Sequence, residues 1–256
     1  MGFGYDDILM EDKELLVVRK QAGMAVQSAK FGQMDLEHAL LNYLSEQRER
    51  QSTKPKGQGS RSNGTWQMPY LAVIHRLDQP VEGLLVFAKT QKAAAALNSQ
   101  LQNGKMKKEY LAICRGKMEK EQGKLVDYLV KDGRTNTSRV AERGTAGAKR
   151  SELEYRQIAW KEETGESLLE IHLLSGRHHQ IRVQLSHAGN PLKGDRKYGG
   201  MGGAGRQENV SGRDCGLALC AFRLSFFHPS TGEKLCFCTA PKGAAFADFA
   251  DVLPEK

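Results

Sequence analysis

Hydrophobic positions in this chain fall mostly in short runs of β-branched, aromatic and leucine residues, separated by polar turns rich in Gly and Asn. Such runs predict strands over residues 14–20, 71–77, 84–90, 109–116, 151–160, 167–175, 217–227 and 234–239. Helical spacing shows in three places. Leu36, Ala39, Leu40, Tyr43 and Leu44 recur behind a candidate N-cap at Asp35. Residues 92–103 follow Thr90 and stop at Gly104, and residues 178–188 are stopped by Gly189-Asn190-Pro191. Many strands, few helices and no regular βαβ alternation imply an α+β fold: a mixed or antiparallel central sheet with a few flanking helices. No internal repeat appears, so one domain over residues 1–256 is expected, with 45–69 as a flexible insertion whose only large apolar side chains are Trp66 and Met68.

Composition narrows the class. A 256-residue chain with 39% hydrophobic and 27% charged residues can bury a proper core. No apolar run is long enough to cross a bilayer, and the acidic opening MGFGYDDILMEDKELL is unlike a signal peptide, which predicts a cytoplasmic protein. Five cysteines are an odd number, so reduced thiols are expected. The spacings among Cys215, Cys220, Cys236 and Cys238 do not form paired zinc knuckles, and Cys236 and Cys238 are expected to share one face of a strand as small buried side chains. His178, His179 and His187 lie in a basic segment without a carboxylate cluster, so no metal is expected there either.

Charge points to a polyanion. The net charge is +8, and it is clustered: residues 104–120 hold six Lys/Arg against two Glu, and residues 176–198 hold five against one Asp. Gly199 to Gly205 superficially suggests a phosphate cradle, but no Lys-Ser/Thr pair and no apolar helix follow it, so a flexible loop is expected.

The sharpest local feature is HRLDQPVEGLLVFAK at residues 75–89, a polar loop entering an apolar strand. Asp78 there is either a turn aspartate bonded to nearby backbone or an exposed, positioned carboxylate suited to nucleophilic or general-base chemistry. This segment resembles the active-site loop HRLDxxTSGLLVxAK of the RluA family of pseudouridine synthases. KKEYLA at residues 107–112 looks like the family's K-x-Y segment, and SGRHHQIRVQLSHAGNPLKGDRKYGG at residues 175–200 resembles GRxHQIRVHLxxxGxPxxGDxxYG. Weaker likeness extends to ILMEDKELLVVRKQAGMAV upstream and LALCAFRLSFFHPSTGE downstream, so most of the chain is covered. Val81 and Glu82 replace the usual Thr-Ser, Gln21 replaces the Pro of the opening turn, and His178 replaces a Thr or Ser. These departures concern target selection more than chemistry. The small N-terminal S4 domain of some relatives is not expected here.

The resemblance implies conversion of uridine to pseudouridine in structured ribosomal or transfer RNA, with base flipping and without metal or organic cofactor. It implies that Asp78 attacks the nucleotide, by ribose C1′ or a glycal route ahead of addition at uracil C6. Tyr110 would pack on the uracil and shuttle a proton, and Arg182 would hold the Asp78 carboxylate bidentately and keep its pKa low. His75, Arg76, Lys107, Lys108, Arg177, His179, Gln180, Lys193, Asp195 and Tyr198 are the expected RNA contacts and pocket walls. No obligatory protein partner is implied. Two rival readings are a non-catalytic RNA-binding protein that keeps the fold, and a hydrolase using Asp78 with His75 or His179.

Overall fold

The computed structural model describes residues 3–28, 32, 34–52, 68–200 and 215–253. Their strands are β1 (Ile8–Glu11), β2 (Leu15–Lys20), β3 (Ala72–Val73), β4 (Glu82–Ala88), β5 (Lys107–Arg115), β6 (Gln122–Asp132), β7 (Thr137–Ala141), β8 (Lys149–Lys161), β9 (Glu166–Leu173), β10 (Leu219–Phe227) and β11 (Lys234–Cys238). The helices are α1 (Leu36–Ser52), α2 (Gln91–Gln102) and α3 (Gln180–His187), with 3-10 turns at Tyr5–Asp7 and Ala244–Phe249. The strands form one sheet in the order β1-β2-β4-β10-β5-β9-β8-β6-β7, with β3 on β4 and β11 on β10. The pairings are antiparallel except for β4 with β10, so the expected mixed sheet is observed.

Strand parity sorts side chains into two layers. On β5, Tyr110, Ala112 and Cys114 enter the largest core beside Leu36 and Leu40 of α1 and Ile181 and Leu185 of α3. Leu111 and Ile113 go to the other face and meet Phe246 and Phe249. β4 is buried from end to end, because Leu85 and Phe87 enter the first core while Leu84 and Val86 pack under Ala93 and Leu97 of α2. The Thr90 side chain caps α2 by accepting from Ala93 N at 3.1 Å. Gly83 has φ +127°, and a Cβ there would run into the Ala221 backbone. Only glycine lets β4 and β10 approach this closely just after the 75–81 loop.

Several expectations are corrected. The strand expected over 71–77 shrinks to Ala72–Val73, because residues from Ile74 onward leave the sheet to form that loop. β1, β6 and β7 were not anticipated; β6 interleaves Lys124, Asp127 and Lys131 with its apolar positions, which hides a half-buried strand. α1 runs through Ser52, past the expected start of the insertion, and residues 53–67 lie outside the described residues, as do 201–205 of the glycine run. α3 begins at Gln180, with His179 at φ 53°, ψ 26° as its left-handed cap. Cys236 and Cys238 do share a face of β11, but that face is exposed. No helix among the described residues is long and apolar enough to cross a membrane.

Candidate active site

The loop between β3 and β4 is clamped from below. Val81 N donates to Asp78 O at 3.0 Å, Gly23 N donates to Gln79 O at 2.9 Å, and Gln79 Nε2 donates to Gly23 O at 3.0 Å. Lys20, at the end of β2 and fully buried, donates from Nζ to the carbonyls of Gln21 (3.0 Å), Met24 (2.7 Å) and Gln79 (3.1 Å). A charge under the loop thus fixes the backbone one residue past Asp78. Burial pushes the Lys20 ammonium down to about 7, against the attraction of Asp78 and Glu82.

That depression links stability to pH. Between about pH 7 and the unfolded value near 10.5, Lys20 is neutral in the folded chain and charged in the unfolded one, so this group's stability contribution rises as pH rises through that window. Wild type should therefore gain on Lys20→Met between pH 6.5 and 9.5, by on the order of 1 kcal/mol or more. Urea midpoints at the two pH values measure the gain, and parallel curves would refute it.

Around the Asp78 carboxylate, side chains gather from distant parts of the chain. Arg182, on α3 and 5% exposed, spends its fork on Asp195: Nε donates to Oδ2 at 2.8 Å and Nη2 to Oδ1 at 2.7 Å. Its remaining nitrogen, Nη1, stands 3.6 Å from Asp78 Oδ2. The expected bidentate grip therefore exists, but on Asp195 rather than on Asp78. Burial alone would raise the Asp195 carboxyl, yet the Arg182 fork takes it below the usual carboxylate range. Asp78 goes the other way, because burial outweighs the pull of Arg182 and Lys20 and Asp195 adds repulsion. This corrects the expectation of a low value: the guanidinium is already committed elsewhere.

His179 is the second neighbour of the carboxylate, with Nε2 at 3.5 Å from Asp78 Oδ2. Its Nδ1 is 2.6 Å from the Tyr198 hydroxyl, which accepts from Ser138 N at 2.8 Å. Burial and the nearby Arg182 push the imidazole down to about 3, so the ring is neutral. Tyr110 is buried in the core, and burial followed by the Asp78 charge raises its hydroxyl, which keeps its proton at any ordinary pH.

Asp78, Arg76, Leu77, His179 and Arg182 line two adjoining cavities. A groove of about 710 Å³ also carries Lys131, Asn136, Arg196 and Lys197 on its walls. A pocket of about 70 Å³ is walled by Val81, Tyr110, Leu173, Ile181 and Leu219. The nucleophile candidate stands where a basic groove opens into a small recess with Tyr110 and aliphatic side chains on part of its wall.

The other expected contacts divide. Arg76 borders both cavities, and Arg177 borders the smaller one while its Nε donates to Arg150 O at 3.2 Å. Lys108 is half-buried beside Gly176, and burial, followed by the Lys108 charge, depresses neighbouring His75, whose ring nitrogens are buried with no partner among the described residues. Gln180 borders the smaller cavity, where it is buried and braces Arg177 N, Ser175 and Glu152 O. Three assignments are corrected. Lys107 has the parity of Glu109 and Leu111 and so stands on the face opposite Tyr110. Lys193 is tied to Glu166 (2.9 Å) and Asp248 (2.8 Å). Tyr198 is fully buried and grips Ser138 and His179 rather than a ligand. Of the three histidines weighed as a metal set, His178 is held by Ser138 and Asn136, and His187 by Asp127.

Lys20, Glu82 and the groove cations Lys131, Arg196 and Lys197 were not among the expected site residues. Lys20 had a signal, a lysine ending an apolar strand directly before the turn it closes. Glu82 had none; buried, it accepts from Lys242 N (3.0 Å) and Gly243 N (2.9 Å), which anchors the 3-10 turn that follows. Val81 lines the small pocket instead, so the two departures from the family loop serve different sites.

A carboxylate where a broad basic groove meets a small recess bordered by Tyr110 suits an enzyme that works on one unstacked base of a nucleic acid. The comparisons agree. The profile of the RNA pseudouridylate synthase family matches residues 14–187, and the chain belongs to that family. It is 31% identical over 233 residues to an uncharacterised RNA pseudouridine synthase, YhcT, of Bacillus subtilis strain 168, covering 91% of this chain and 68% of that protein. It is 34% identical over 228 residues to ribosomal large subunit pseudouridine synthase D of Nitrosomonas europaea, covering 89% of this chain and 60% of the relative. The chain thus spans roughly two thirds of the length of these relatives. In fold it resembles human RNA pseudouridylate synthase domain containing 4, with a TM-score of 0.72, 22% identity, and coverage of 98% of this chain and 94% of the other.

Proposed function

We propose that the chain isomerises uridine to pseudouridine in ribosomal RNA of the large subunit, with Asp78 as nucleophile. The observation that carries this is the position of Asp78 at the mouth of the Tyr110 pocket and the floor of the basic groove. Phosphates flanking a flipped nucleotide find Arg76, Lys131, Arg196 and Lys197 in the groove, and its uracil stacks in the recess on Tyr110. The ionised Asp78 carboxylate attacks ribose C1′, and the C1′–N1 bond breaks with its electron pair passing to the uracil. The freed ring turns in the pocket, C5 attacks C1′, and the carboxylate leaves. C5 then loses its proton and N1 gains one. Tyr110 holds its own proton, so it serves this exchange as a relay partner, not as a standing base. Arg182 balances the carboxylate and Asp195 fixes Arg182.

Large-subunit RNA is favoured by the printed names of relatives such as ribosomal large subunit pseudouridine synthase D of Nitrosomonas europaea. A cytoplasmic location accords with that target. The test is a pseudouridine map of total RNA from cells with and without the gene. Loss of one or a few sites confined to large-subunit RNA is expected; loss confined to transfer RNA would overturn the target, and an unchanged map would overturn the activity.

A further inference from the structure

Two side chains from α3 and its cap approach one oxygen of the Asp78 carboxylate. His179 Nε2 (3.5 Å) and Arg182 Nη1 (3.6 Å) both face Oδ2. What His179 offers there depends on where its single proton lies, because a neutral imidazole carries N–H on one nitrogen and a lone pair on the other. The buried Tyr198 hydroxyl settles this. It accepts from Ser138 N at 2.8 Å, and no other acceptor among the described residues lies within hydrogen-bond distance for its own proton than His179 Nδ1 at 2.6 Å. Leaving that proton unpaired in a fully buried site would cost on the order of 1–3 kcal/mol. Nδ1 is therefore the acceptor, and the ring proton sits on Nε2, facing the carboxylate.

The backbone is built to place the ring. His179 takes the left-handed conformation at the cap of α3, which side chains other than glycine rarely adopt. His178 stacks on it at a centroid distance of 3.7 Å and is itself held by Ser138 Oγ at 2.9 Å. The Tyr198 ring meets His179 edge-on at a centroid distance of 5.5 Å.

We propose that His179 is a positioning residue for the nucleophile: Tyr198 locks its proton on Nε2, and it orients Asp78 through Oδ2 so that Oδ1 is the oxygen left to attack the sugar. The proposal rests on Asp78 being the nucleophile. It assigns Tyr198 and Ser138, neither of which touches substrate, a place in the reaction. Ser138 lies on β7, so the β6–β7 hairpin that carries Lys131 on the groove wall is tied directly to the geometry of the attacking group.

The test reads the carboxyl itself. Asp78 is titrated by carbon-13 NMR in the RNA-free enzyme, its signal assigned by loss in Asp78→Asn, for wild type, His179→Ala, His179→Gln and Tyr198→Phe. The groups facing Asp78 are Arg182 and His179 from α3 and its cap, Lys20 from β2, Tyr110 from β5, and Asp195 and Tyr198 beyond α3. All but the substituted one are common to each comparison. Removing the donor in His179→Ala should weaken Asp78 as an acid about tenfold. His179→Gln, whose amide N–H occupies the place of Nε2, should restore most of that change, and Tyr198→Phe should show a smaller weakening because either tautomer becomes available. Single-turnover rates at saturating enzyme on a large-subunit RNA transcript should fall about tenfold in His179→Ala, with the acid limb moved to higher pH. An Asp78 titration that does not move in His179→Ala overturns the proposal, as does equal damage in His179→Ala and His179→Gln. A wild-type enzyme inactive on the transcript would count against the RNA target alone, since the titration is read without RNA.

Discussion

Asp78→Asn should abolish pseudouridine formation, by roughly 10⁴-fold or more, while leaving a folded protein that binds RNA at least as tightly as wild type. The side chain is 29% exposed and its two polar neighbours, the neutral His179 ring and the Arg182 guanidinium, stand at 3.5 and 3.6 Å, so an amide of the same shape disturbs little of the packing. Removing a negative charge from a groove walled by Arg76, Lys131, Arg196 and Lys197 removes repulsion against phosphate. The wild-type rate should itself fall in acid: burial raises the Asp78 carboxyl, so protonation disarms it at a pH above that of an ordinary aspartate. Tritium release from C5-labelled RNA, urea midpoints and filter binding measure the three quantities. Measurable turnover in the variant would show that another group attacks.

Arg182→Lys should cost about a hundredfold in single-turnover rate and on the order of 3 kcal/mol in stability, whereas Arg177→Lys should change either quantity only slightly. The guanidinium reaches Asp195 with two nitrogens and Asp78 with the third, and the Asp195 side chain is completely buried. A lysine has one charged atom and cannot meet both carboxylates. Asp195 also accepts from Lys197 N at 2.9 Å and Tyr198 N at 3.2 Å, so loosening it disturbs the turn that carries Tyr198. Arg177 makes its side-chain bond to Arg150 O at an exposed position, where any cation suffices. Equal rates for the two variants would remove Arg182 from the site.

The sequence made the chemistry more legible than the architecture around it. Asp78, Tyr110 and Arg182 stood in motifs whose order and residue types announced them, and the structure brings all three to the border of one pocket. The partner of Arg182 was misjudged because a fork can hold either of two carboxylates, and only packing decides which is buried deeper. Lys107 and Lys193 were grouped with true groove residues on charge alone. For Lys107 the missing argument was available, since it lies three positions from Tyr110 on one strand and so points the opposite way. For Lys193 it was not, because Glu166 and Asp248 are neighbours only through long-range folding. The β6–β7 hairpin went unseen for a related reason: half its surface faces water, so its alternation is diluted by charge, yet it supplies Ser138.

The place of β10 between β4 and β5 has a consequence for biosynthesis. A ribosome making this chain completes the loop of Asp78, the strand of Tyr110 and the helix of Arg182 before it makes Leu219–Phe227, the strand that must slot between the first two. Until then the edge of β5 and the Glu82–Gly83 end of β4 that β10 will join have no partner, and unpaired edges invite pairing with other chains. Leu219 of the late strand is also a wall of the Tyr110 pocket, so the nascent protein cannot complete that pocket until β10 has emerged.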